Sequence, residues 1–387
     1  MIKISHSDID KIVNDYSKEI YKEFIKKKKN IFEVIDILGN NNDINMQVIG
    51  KVKEYTVALK LLLNVKKLEV PKKIGDKKET EILIFNLKKN RVGIDLRSKC
   101  RKEKRYNQIK NQLNNIFKHI LIDLFSAKPI DLKTKNEEFK NENLDTNIYN
   151  FFFDYQNYYD ILNKFIGKEL GIICCPYCNR NYISFIHDNK SKRIIGPTYD
   201  HFFHKSKYKF ISLSFYNLIP SCYVCNSNLK NQVNFDLLTH LHPHIDEFGD
   251  NAVFDYDLSL INNINGKRKI FQPTIRLKAK IKEEDKLKLF GREKDIKGEV
   301  TGSIKVFKLK EIYQTHYDTV EEIHEKFDKN SPHYIKSIQD NLKRLGVAED
   351  EFYRFHFNNY FYSGDFHKRP LAKLTKDIYN KMKQIQP

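Results

Sequence analysis

The chain has 387 residues, 40 % of them hydrophobic, and carries 69 Lys and Arg against 50 Asp and Glu, a net charge of +19. That apolar content excludes a disordered polymer, and no apolar run approaches the ~20 residues of a membrane-spanning helix. The opening MIKISHSDIDK lacks the apolar core and cleavage site of a signal peptide, so a cytoplasmic protein is expected. The charge points to an anionic polymer such as nucleic acid as partner, with a membrane surface as the competing reading.

Ser7 and Asp10 form an N-capping pattern. Ile9, Ile12, Val13, Tyr16, Ile20 and Phe24 then recur at helical spacing, which predicts a first helix ending near the lysine run at 26–29. A second helix is expected over 44–66, and the short β-rich run at 81–85 predicts a strand. Between 97 and 110 lie Arg97, Lys99, Arg101, Lys102, Lys104, Arg105 and Lys110, opposed only by Glu103. This basic half-helix reads either as a solvated end or as a phosphate-tracking surface built on Arg101, Lys102 and Arg105. Its continuation carries the apolar stripe Tyr106, Ile109, Leu113, Ile116, Phe117, Ile120 and Leu124, the pattern of a core-facing helix. Residues 127–146 are polar and aperiodic and mark a boundary, so 1–146 is expected to be a mostly helical N-terminal domain.

Over 151–166 a run of aromatic residues at helical spacing reads as core, with base stacking as the alternative. Past residue 249, the alternation of Ile275, Leu277, Ala279 and Ile281 predicts a strand whose outward Arg276, Lys278, Lys280 and Lys282 flank nucleic acid. Helical patterns follow over 309–328, 333–345, 349–361 and 369–384, with Pro370 at the start of the last. A C-terminal domain over 249–387, short β region then helices, is the expectation. There is no Walker-type loop and no dinucleotide fingerprint, so any nucleotide-driven step needs another protein.

The centre of the chain carries the chemistry. Cys175 and Cys178 form one Cys-x-x-Cys pair, Cys222 and Cys225 a second, in a chain with six cysteines. Two residues between paired cysteines let one turn supply two sulfurs to a tetrahedral ion, and two such pairs complete a zinc shell. A redox dithiol would require a separate explanation for each pair. Cys174 has the wrong spacing for the same turn and reads as a small buried residue. Between the pairs stand Asp200-His201 and Asn217-Leu218, and after the last cysteine come Asn226 and Lys230. On a strand, Asp200 and His201 point to opposite faces and take different tasks. Beyond them His240, His242 and His244 fall around Pro243, in a segment expected to close the core, with chelation from a loop as the alternative.

In this order, Cys-x-x-Cys, Asp-His, Asn-Leu, Cys-x-x-Cys-Asn and Lys, the stretch over 165–245 resembles the HNH endonucleases. The phrases FFHKSKY and NLIPSCYVCNSNLK are most similar to HNH nucleases of the Septu and retron-associated anti-phage systems, which work beside an ATPase. The resemblance implies an α+β protein, mainly helical, with a central ββα-metal core over 147–248 that carries a four-cysteine structural zinc. It implies His201 as general base, Asp200 and Asn226 as ligands of Mg²⁺ or Mn²⁺, and Asn217 as the residue that holds the loop of the base. Lys205, Lys207 and Lys230 are then candidate phosphate contacts. His204 stands where many members have Pro. The competing function is a zinc-stabilised nucleic-acid-binding module without catalysis.

Overall fold

The computed structural model describes residues 1–39, 68–74, 77–83, 111, 114, 121–140, 152–187, 193–263, 266–278, 280–292, 300–328 and 332–385. Within them the protein mixes helices with small two-stranded antiparallel sheets. It divides into two compact units, one of Met1–Ile12, Leu162–Lys207 and Tyr216–Pro387, the other of Val13–Ile161 and Tyr208–Phe215. These are not the three consecutive stretches expected, because segments distant in sequence share cores.

Helix α1, Ile9–Gly39, runs straight through the lysine run instead of ending there. Lysine is a good helix former, and neither Gly nor Pro interrupts the chain before Gly39. In the second unit its Phe24 is fully buried with ring centroids 5.2 Å from Phe125, 5.6 Å from Phe152, 5.2 Å from Phe153 and 5.5 Å from Tyr158. The aromatic run after residue 151 is therefore core. Strands β1, Leu68–Ile74, and β2, Lys77–Leu83, pair antiparallel, so the strand expected at 81–85 lies partly in β2. The polar stretch after residue 127 is not a linker: Leu132–Lys140 is a helix, α2, that buries Leu132, Asn136 and Phe139. Asn136 Oδ1 accepts the Phe210 N–H at 3.2 Å, a buried polar residue fully used. The helix expected over 44–66 and the basic helix at 97–110, with Arg101, Lys102 and Arg105, lie outside the described residues.

In the first unit, strand β3, Thr198–His201, pairs antiparallel with β4, Leu218–Ser221, placing Asp200 opposite Ile219 and His201 opposite Leu218. A wide helical turn, Val224–Lys230, follows directly. The longest sheet is the hairpin of β5, Ala252–Asn263, and β6, Gly266–Leu277. Its inner face alternates with period 2, burying Ala252, Phe254 and Tyr256 from β5 and Phe271 and Ile275 from β6. The expected strand over 275–281 ends at Leu277, and its Arg276 faces not solvent anions but Asp255 at 2.9 Å and Asp257 at 2.6 Å. Helix α3, Tyr317–Asp328, buries Val320, Ile323 and Phe327, and the last helix, α4, Ala372–Ile385, buries Leu374, Ile378, Tyr379 and Met382. A buried ion pair, Lys373 to Asp377 at 2.6 Å, ties α4 to the sheet, because Asp377 also accepts the Phe254 N–H at 2.8 Å.

Asn179, just after the first cysteine pair, has a left-handed backbone with φ 48°, which Asn tolerates better than most residues. Its side chain donates to the Phe366 carbonyl at 2.9 Å and accepts from the Lys373 N–H at 3.1 Å. It thereby caps α4 from a distance, satisfying one of the donors that a helix start leaves open. Asn179→Gly keeps the backbone conformation and removes those bonds, so urea unfolding should show a loss of about 2 kcal/mol with zinc content unchanged.

Candidate metal centre and active site

Cys175, Cys178, Cys222 and Cys225 are buried, and their sulfurs all lie within 4.8 Å of one another. Cys178 Sγ and Cys222 Sγ are 4.0 Å apart, close to the ~3.8 Å edge of a tetrahedron with ~2.3 Å zinc–sulfur bonds. The donor set thus fits a zinc ion. Burial pushes the Cys175 thiol well above its ordinary value, while hydrogen bonds from Cys175 and Cys178 hold Cys222 well below it. Such a cluster cannot ionise in full without a cation inside it. Asn181 Nδ2 donates to Cys222 Sγ at 3.3 Å and its carbonyl accepts the Cys175 N–H at 3.0 Å, so one residue spans both pairs. Cys174 is buried in an isolated bridge with Tyr182, and burial raises its thiol to about 12, the state of an inert neutral side chain. Among the described residues this is the only group of His, Cys, Asp and Glu gathered tightly enough to hold a metal.

His201 ends β3 and is 8 % exposed, Asp200 beside it 4 %. Asp200 Oδ2 accepts the Tyr177 hydroxyl at 2.6 Å and Oδ1 accepts the Lys230 ammonium at 2.8 Å. Lys230 also donates to the His201 carbonyl. Past His201 the fully buried Asn217 grips the backbone of Phe203, accepting its N–H at 2.8 Å and donating to its carbonyl at 3.3 Å. The peptide that follows His201 is therefore held by Lys230, and the backbone of Phe203, two residues on, by Asn217. Asn226 lies half-buried on the turn after Cys225, and no described residue hydrogen-bonds its side chain.

Lys205 and Lys207 are exposed on the loop leaving His201. Lys230 requires a correction as a phosphate contact: its side chain is 1 % exposed and its charge is spent on Asp200. In that loop His204 Nδ1 lies 2.7 Å from the Ser206 hydroxyl and 3.3 Å from the Ser206 N–H. His240, His242 and His244 are buried but do not converge. His240 stacks on Phe235 at 4.0 Å and His242 packs on Phe202 at 4.2 Å.

Reading the sequence did not single out Tyr177 or Asn181. Tyr177 is visible only as an intervening residue of the first cysteine pair, a position that zinc geometry leaves free. Compared with protein-family models, curated proteins and solved structures, the chain matches none. No helix among the described residues is long and apolar enough to cross a membrane.

The purified protein should contain about one zinc per chain by atomic spectroscopy, and Cys175→Ser or Cys222→Ser should lower both zinc content and thermal stability. Stability should also depend on pH. Burial holds His240 down to about 4 and His242 well below its ordinary value, whereas unfolded imidazoles protonate near 6.5. The unfolded state therefore takes up protons first, and folding stability should fall as pH drops from about 6.5 towards 4, by up to about 3 kcal/mol for His240 alone. His240→Phe, which keeps the stack on Phe235, should flatten that slope in denaturant titrations.

Proposed function

We propose that the chain is a metal-dependent endonuclease of the HNH kind, hydrolysing phosphodiester bonds of nucleic acid, DNA before RNA. The observation that carries this reading is a buried histidine at a strand end, its own carbonyl held by Lys230 and the backbone two residues on held by Asn217, on the stretch between two cysteine pairs whose four sulfurs are gathered tightly enough for a metal. Hydrolysis of a phosphodiester needs a base for the attacking water, and imidazole is the side chain that takes and releases a proton near neutral pH. His201 fills that role. Exposed Lys205 and Lys207 attract the phosphate backbone to the loop next to it.

Mg²⁺ or Mn²⁺, when bound, would supply charge neutralisation at the scissile phosphate. Asn226 fits such an ion, offering an oxygen ligand of the kind a hard cation takes. Asp200 fits poorly as it stands, because the buried Lys230 ammonium lies 2.8 Å from its Oδ1 and would repel a divalent ion there. The zinc site is structural in this reading, since four thiolates leave no open position for chemistry. The closer likeness to anti-phage nucleases adds a partner ATPase and a defence setting to the proposal.

Incubation with plasmid in Mg²⁺ or Mn²⁺ should produce cleavage that EDTA abolishes. His201→Ala should keep fold, zinc and nucleic-acid binding while losing 10²–10⁴-fold in rate, the span a general base typically supplies. Cleavage by His201→Ala as fast as by the parent protein would leave the non-catalytic binding module as the better account.

A further inference from the structure

Tyr177 lies between the two ligands of the first cysteine pair, fully buried and stacked on Phe307 at 4.4 Å. Lys230 closes the helical turn that starts from the second pair, with its ammonium 4.8 Å over the Phe235 ring. Each cysteine pair thus sends one buried side chain to a different oxygen of the same carboxylate, Tyr177 to Oδ2 and Lys230 to Oδ1 of Asp200. Lys230 at the same time grips the carbonyl of the next residue, His201. A divalent ion on that carboxylate would sit within a few ångströms of a buried ammonium, where like charges repel strongly and water does not screen them.

We infer that Asp200 is a positioning residue and not an ion ligand: it is the knot through which both cysteine pairs, by way of Tyr177 and Lys230, set the backbone that carries His201. The role of His201 as base rests on the nuclease reading; the knot rests on the hydrogen bonds alone. Tyr177 and Lys230 exchange no ligand with the metal, yet both hang from the turns the metal closes, so a change at the sulfurs reaches His201 through them. Asp200 answers a need of the fold as well, since a buried carboxylate demands partners and finds one from each side.

The test uses the zinc-loaded full chain and its variants Tyr177→Phe, Asp200→Asn, Lys230→Met and the double variant Asp200→Asn/Lys230→Met. Tyr177→Phe should keep its zinc and its plasmid KM but lose roughly ten-fold or more in kcat, as small misplacements of a catalytic group do. Its His201 ring resonance, assigned by comparison with His201→Ala, should shift, which a loss of stability alone would not cause. Calorimetric titration with Mn²⁺ should give the same affinity for Asp200→Asn as for the parent protein, within two-fold. If single variants fold poorly, the double variant should unfold at a higher temperature than Lys230→Met, because it buries no unpaired charge. Loss of Mn²⁺ binding in folded Asp200→Asn would overturn the inference, and so would additive single variants in the unfolding cycle or an unmoved His201 resonance in Tyr177→Phe. A parent protein that cuts no nucleic acid would end the nuclease reading instead, with the knot still decided by the resonance and the cycle.

Discussion

Four buried sulfurs within 4.8 Å of one another cannot all carry charge unless a cation sits among them, and most of the unit around the site depends on how that constraint is met. The turns bearing the sulfurs are also the anchoring points of distant segments. The Ile2 N–H donates to the Pro176 carbonyl at 2.9 Å, the Cys174 N–H to the His367 carbonyl at 2.8 Å, and the Leu371 N–H to the Asn179 carbonyl at 2.6 Å. Tyr313 donates its hydroxyl to the carbonyl of Cys178. The chain start, the middle and the approach to the last helix therefore meet on one small cysteine turn. A metal ion held by these sulfurs would couple its binding to the folding of the turns that carry them.

Much of the centre is legible because its signals are local. Cysteine spacing speaks for a tetrahedral ion without reference to the rest of the fold, and an Asp-His pair on a strand separates its two side chains by geometry alone. What could not be read is what depends on tertiary partners. Lys230 looks like one more cation in a basic chain, and only the packing around Asp200 turns it inward. The polar, aperiodic stretch after residue 127 reads as a domain boundary, whereas the amide of Asn136 within it satisfies a backbone donor 74 positions away. Arg276 stands on the outer side of its strand as the alternation predicts, but Asp255 and Asp257 on the paired strand take up its charge. The lysine run inside α1 shows the same limit in reverse, since the run does not end a helix that has no breaker, and Lys27 within it turns its ammonium over the Tyr158 ring at 4.3 Å.

These pairings also change how the charge of +19 is to be read. Net charge sets long-range attraction to an anionic polymer, but contact requires cations that are free to leave water and meet phosphate. Lys230 and Arg276 are each already matched to carboxylates. Lys205 and Lys207 stand on an exposed loop beside the histidine. The formal charge thus includes cations that carboxylates already match.

The elements that carry the candidate chemistry are short. Each strand beside His201 has 4 residues, and the turn that follows has 7. A two-stranded hairpin of that size is marginal in water, and a helical turn of that length does not persist alone. A histidine held in one place cannot rely on such pieces. Here the holding is transferred to groups that do not depend on length: a four-sulfur cluster tight enough for a metal, a carboxylate with a donor on each oxygen, and an asparagine that bonds both the N–H and the carbonyl of Phe203. The four sulfurs and His201 are thus separate sites, joined through Tyr177, Asp200 and Lys230 and not by a shared ligand.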